Sequence, residues 1–191
     1  MNIYKYHANP ESLDYYKETL TQVPKLAFEH AESLGRKFPE GEAAIAKDAD
    51  YAYEYAIYFI KGRFSEGEAA IAKYEDYAYE YAKYVIRGRF PAGEAAIAKS
   101  TTHAFRYARD IIKGRWPEGE AAIAKSARYA YLYARDVIKG RFRDGEAAIA
   151  KDAECAYAYA DYIGRRFLEG EVNIARSEWR EKYERLFNFK F

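Results

Sequence analysis

The side chains of this sequence best suited to nucleophilic or metal chemistry are one cysteine, Cys155, and three histidines, His7, His30 and His103. Such roles need partners at motif spacing, and none is present: no His/Cys cluster, no serine elbow, no glycine loop able to cradle a phosphate. The repeated glycine at Gly41 is followed by Glu42, whose charge repels phosphate. His103 and Cys155 instead occupy a position held elsewhere by Tyr51, Tyr77 and Tyr129, and His30 occupies that of Tyr55. Each is expected to be a packing substitution within an aromatic file. The expectation is a protein that is not an enzyme and carries no metal or other cofactor.

Two charged ladders recur with the same period. Glutamates stand at Glu42, Glu68, Glu94, Glu120, Glu146 and Glu171; arginines stand at Arg36, Arg63, Arg89, Arg115 and Arg141. Arginine's planar fork suits bidentate pairing with a carboxylate, so these residues are expected to close the corners between repeats as ion pairs. A functional carboxylate row is the alternative. Two tyrosine files run beside them, Tyr53, Tyr79, Phe105, Tyr131 and Tyr157 in one, Tyr55, Tyr81, Tyr107, Tyr133 and Tyr159 in the other. They form either a packed core that shows only hydroxyls or a recognition surface rich in low-entropy contact area.

The elements that must position these residues follow from one heptapeptide. Gly-Glu-Ala-Ala-Ile-Ala-Lys begins at Gly41 and returns unchanged at Gly67, Gly93, Gly119 and Gly145, at intervals of 26 residues; a worn copy spans Gly170 to Arg176. An internal repeat of this length means one supersecondary unit stacked on itself. Each repeat carries a short, Ala-rich helix around the heptapeptide and a second helix of about 13 residues. Asp48, Ser100, Ser126, Asp152 and Ser177 are expected to cap that long helix at its start, with Tyr74 breaking the rule. Gly62, Gly88, Gly114 and Gly140 are expected to end it in the left-handed conformation. The apolar arc of the long helix is wide enough to need partners on both sides. The predicted fold is all-α, an α-solenoid forming a single domain over 1–191. Residues 1–37 make an N-terminal capping unit, 38–166 five repeats (the fifth one residue short) and 167–191 a C-terminal capping unit, with Trp179, Tyr183 and Leu186 on one stripe of the last helix.

Half of the residues are hydrophobic, which excludes a disordered chain, and the net charge of +1 excludes a broadly basic nucleic-acid binder. No signal peptide or membrane-spanning run is visible, so a cytoplasmic protein with no membrane association is expected. Specificity must then lie where the repeats differ. Outward positions of the long helix read Glu54/Ile57/Tyr58/Lys61, Glu80/Lys83/Tyr84/Arg87, Arg106/Arg109/Asp110/Lys113 and Leu132/Arg135/Asp136/Lys139. The candidate binding residues are Arg106, Arg109, Arg128, Leu132 and Arg135.

The motif that joins Arg115-Trp-Pro-Glu-Gly-Glu-Ala-Ala-Ile-Ala-Lys125 to Tyr129-Ala-Tyr-Leu-Tyr-Ala-Arg-Asp-Val-Ile-Lys-Gly-Arg141 resembles a short tyrosine-rich helical repeat of phage and prophage proteins. The resemblance covers roughly residues 36–176. It implies a viral or prophage origin and a host or defence-related protein as partner, and it brings no catalytic residue. A single-stranded nucleic acid is the second candidate partner, and self-association of a structural protein the third.

Overall fold

The structure, a computed structural model, describes residues 18–191. His7 and the apolar positions Leu13 and Tyr16 lie outside the described residues. Every regular element among those described is helical. The chain divides into two compact units, Met1–Glu94 and Ala95–Phe191.

In the first unit, Pro24–Leu34 is followed by the short helix Glu42–Ile45, the long helix Ala49–Tyr55, then Glu68–Ile71 and Glu75–Glu80. In the second, the long helices are Thr101–Tyr107, Ala127–Leu132, Ala153–Ile163 and Arg180–Phe187, and the short ones between them Pro117–Ile123, Arg143–Ile149 and Leu168–Ala175. Within each unit a short helix packs on the long helix before it, and long helices pack on their neighbours.

The repeated small residues explain that pairing. A Cβ added to Gly67 would lie 2.8 Å from the Cβ of Ala52, and one added to Gly145 would lie 2.6 Å from that of Ala130. Both alanines are fully buried on the preceding long helix. Helix axes can approach this closely only where neither side chain extends beyond a methyl. The same glycine faces the ring that opens its own repeat, Phe64 at 2.6 Å and Phe142 at 2.6 Å. Ile45, Ile71, Ile123, Ile149 and Ile174 fill the space behind, all with no exposure.

The caps follow sequence with one exception. Asp48, Ser100, Ser126 and Asp152 accept backbone N–H groups of their helices, and Tyr74 makes no side-chain cap. Ser177 instead gives its hydroxyl to the carbonyl of Ile174 and accepts the N–H of Trp179; the last helix starts later, at Arg180.

The helix ends correct the expectation for glycine. Gly62, Gly88, Gly114 and Gly140 do not take the left-handed conformation; the residues before them do, Lys61 at φ 56°, Arg87 at 57°, Lys113 at 56° and Lys139 at 54°. Each of these long helices finishes in a π turn, Ala56–Ile60, Tyr81–Ile86, Ala108–Ile112 and Tyr133–Ile138. A π turn holds one residue more than the α-helix it interrupts, and that residue displaces the left-handed position onto a cation. Pro24–Leu34 and Ala153–Ile163 stay α-helical to the end, and there Gly35 and Gly164 are left-handed. The shortness of the fifth repeat is thus the absence of the π residue.

Candidate binding surface

The tyrosine file at Tyr55 is core. Tyr55, Tyr81, Tyr107, Tyr133, Tyr159 and Tyr183 have no exposure. A buried phenol needs a partner for its hydroxyl, and the Glu ladder supplies it. Tyr81 Oη accepts the N–H of Phe64 at 2.8 Å and donates to Glu68 Oε1 at 3.1 Å. Glu68 is held in turn by Arg63, whose Nε and Nη2 each donate at 2.8 Å. The arrangement returns at Arg141–Glu146–Tyr159, with Arg141 at 2.6 Å from both carboxylate oxygens, and at Arg166–Glu171–Tyr183.

These corners join consecutive repeats, as the sequence leads one to expect: Arg63 and Arg141 each end a repeat, and Glu68 and Glu146 stand in the one that follows. Arg36 is not a member of the ladder: it donates to the carbonyl of Lys37, and Glu42 takes its hydrogen bond from Tyr55. The position before the opening aromatic is Lys37 in that repeat, and Arg166 is the member that the ladder read from sequence omits. Burial pushes the Glu146 carboxyl up, but its bonds from Arg141 and Tyr159 outweigh this and hold it below the ordinary range.

Within each unit the second file packs one repeat on another. Phe28 meets Tyr51 at 5.4 Å and Tyr53 meets Tyr77 at 5.8 Å in the first unit. Phe105 meets Tyr129 at 5.6 Å and Tyr157 stacks on Trp179 at 4.9 Å in the second. His30 fills a tyrosine position, its ring 4.7 Å from Phe38. His103 Nδ1 lies 3.1 Å from the capping hydroxyl of Ser100. Cys155 is half-buried, and burial together with the Asp152 carboxylate pushes its thiol up to about 12, far from the thiolate a nucleophile needs. Among the described residues, no group of three or more His, Cys, Asp or Glu could hold a metal ion.

Most of the invariant side chains are therefore consumed by packing and internal bonds, while the repeated lysines Lys47, Lys73, Lys99, Lys125 and Lys151 and the variable outward positions remain outside. Arg106, Arg109, Arg128 and Arg135 are exposed and Leu132 is half-buried. They fall into two kinds. Arg109 makes two bonds to Asp110, at 2.6 and 3.2 Å, and lies over the Phe105 ring at 5.2 Å; Arg135 makes two to Asp136, at 2.6 and 3.0 Å, and lies over Tyr131 at 5.2 Å. Arg106 and Arg128 join no ion pair among the described residues.

The first unit presents a different surface at the same repeat positions. Tyr58 is 62% and Tyr84 55% exposed, where Asp110 and Asp136 stand in the second unit. Glu54 and Glu80 occupy the positions of Arg106 and Leu132. Burial, then the neighbouring carboxylates Asp50 and Glu32, raise the Glu54 carboxyl. Lys83 lies 5.4 Å from both the Tyr79 and Tyr84 rings and donates to Tyr79 Oη at 3.0 Å.

At the C-terminal end, an open cavity of about 730 Å³ is lined by Arg180, Glu184, Asn188, Phe189 and Lys190 among others. Glu184 there pairs with Arg180 at 3.0 Å and Lys190 at 3.8 Å, and Arg185 donates to the carbonyl of Glu181. The last helix departs from its expected stripe: Leu186 is 41% exposed, and Phe187 takes its place 4.8 Å from Tyr183. No helix among the described residues is long and apolar enough to cross a membrane. Compared with family models, curated proteins and solved structures, the chain matches none.

Proposed function

We propose that the chain is a non-enzymatic repeat scaffold, an α-solenoid whose long-helix face binds a protein partner. One observation carries this reading: most residues repeated without change are spent on internal bonds and close packing, the exposed lysines Lys47, Lys73, Lys99, Lys125 and Lys151 excepted, while Arg106 and Arg128, at positions that differ from repeat to repeat, are exposed and unpaired among the described residues. A binding face needs side chains that are both free and specific, and arginine is enriched at interface hot spots. The phage-like repeat directs the choice of partner to a host or defence protein met in the cytoplasm. Nucleic acid is the less favoured partner, because Glu54 and Glu80 break any basic track through the first unit.

The test is affinity capture from host lysate, with and without nuclease, by the wild-type chain and by an Arg106→Glu, Arg128→Glu double variant. The reading expects a nuclease-resistant protein that the variant releases. A bound species lost on nuclease treatment overturns it in favour of nucleic acid, and equal capture by the variant moves the site off this face. Arg109 and Arg135 are poorer probes, because reversing either would set two carboxylates side by side.

A further inference from the structure

Two long-helix segments of the first unit and two of the second carry opposite charge, while the next segment of the second unit, 152–163, holds Asp152, Glu154 and Asp161 and no cation. Residues 48–61 and 74–87 hold six acids (Asp48, Asp50, Glu54, Glu75, Asp76, Glu80) against three cations, Lys61, Lys83 and Arg87. Residues 100–113 and 126–139 hold six cations (Arg106, Arg109, Lys113, Arg128, Arg135, Lys139) against two acids, Asp110 and Asp136. The change falls at equivalent repeat positions, Glu54 and Glu80 against Arg106, Asp50 and Asp76 against Arg128. The acidic surface also shows three large exposed rings, Tyr58, Tyr74 and Tyr84.

The chain itself displays how such groups combine. Arg109 and Arg135 each sit over an aromatic ring and pair with a carboxylate. Arginine gains there from the ring face and the ion pair together. In the first unit neither set is complete: Tyr53 is followed one turn later by Ile57, Lys83 lies over Tyr79, Tyr58 and Tyr84 stand where Asp110 and Asp136 do, and Glu54 has Asp50 and Glu32 as its charged neighbours.

We propose that the acidic, tyrosine-bearing face of the first unit (Glu54, Tyr58, Glu80, Tyr84) docks on the arginine face of the second unit (Arg106, Arg128) of another copy of the chain. The inference rests on the reading of the long-helix faces as binding surfaces, and it names a second copy as one occupant. Both complementary surfaces are carried by one sequence, so no other partner is needed to supply the charge. Complementary charge governs orientation and encounter more than raw affinity, and exposed pairs are screened over about 8 Å at physiological salt. The association is therefore reversible, salt-sensitive, and in competition with any partner that uses Arg106 and Arg128.

Sedimentation velocity on the purified full chain tests this, over a concentration series at low and high salt. The expected result is a mass that grows with concentration at low salt and returns to the monomer at high salt. A Glu54→Lys, Glu80→Lys variant and an Arg106→Glu, Arg128→Glu variant should each associate roughly tenfold or more weakly, with unchanged helical circular dichroism. Mixing the two variants should restore association, because each then offers the face that complements the other. A monomer at every concentration, an association indifferent to salt, or a mixture that fails to associate overturns the proposal. Capture of the lysate partner is read separately: the Glu54→Lys, Glu80→Lys variant keeps its arginine face and should still hold that partner, so each reading can fail alone.

Discussion

Tyr133 Oη accepts the backbone N–H of Trp116 at 2.8 Å and gives its own proton to Glu120 at 3.0 Å. Residues 17 apart are thereby fastened through one phenol, and Arg115 fixes the far side of the carboxylate with bonds of 2.6 and 2.9 Å. Tyr133→Phe keeps the ring and removes only the hydroxyl. It leaves a buried N–H without an acceptor, which costs about 1–3 kcal/mol. Urea melts should show that loss, and Tyr131→Phe, on a half-buried ring, should cost much less. Equal midpoints for both variants would mean that the phenol bond is not structural.

The contact between Gly145 and Ala130 is the tightest place to test the packing of short on long helix. Gly145→Ala would bring a methyl to 2.6 Å from the Cβ of Ala130, and Ala130→Leu would overfill the same gap. Each should destabilise by about 1–3 kcal/mol. Because both act on one contact, Ala130→Gly should recover part of the Gly145→Ala loss, and the double-mutant cycle should be non-additive. Additive losses would place the two residues apart.

Much of this was legible in the sequence. The 26-residue identity, the capping residues and the repeated Gly and Ala sufficed for the helices and their close approach. They also placed Arg106, Arg109, Arg128 and Arg135 outside. What escaped was the pairing of Arg109 with Asp110 and of Arg135 with Asp136, because adjacent residues on a regular helix do not face each other. Both pairs lie in π turns. An inserted residue leaves the apolar pattern almost intact, and its traces were the 25-residue fifth repeat and the shifted glycine of Gly35-Arg36-Lys37-Phe38. Arg36 was misplaced for the same reason: matching repeats by their glycine, rather than by the following aromatic, shifts the first copy by one.

The left-handed cations give a direct measure of that inserted residue. A side chain in this conformation costs about 1 kcal/mol that glycine avoids. Lys139→Gly should then raise stability by no more than about 0.5 kcal/mol, because glycine's greater freedom in the unfolded chain offsets part of the gain. Gly140→Ala should be nearly neutral, since its φ is not positive and an added Cβ would meet only Ile138 at 3.8 Å. Gly164→Ala should destabilise, because Gly164 itself sits at φ 66°. A Gly140→Ala variant that suffers as much as Gly164→Ala would return the left-handed position to the glycine and remove the π turn.

Alkaline pH should open the same core from another direction. Burial is the first cause that pushes Tyr55, Tyr81, Tyr159 and Tyr183 up to about 12, and it moves Tyr133 further the same way. An unfolded tyrosine loses its proton near pH 10. Between about pH 10 and 12 the folded chain thus binds more protons than the unfolded one, and stability must fall as pH rises through that window. The fall should be steep, because several phenols contribute to one cooperative transition. The measurement is a pH titration followed by helical circular dichroism and by tyrosinate absorbance on the same sample. Loss of helix should accompany ionisation of the buried phenols. Complete ionisation of every tyrosine near pH 10 with the helices intact would show that the Tyr55 file is open to water.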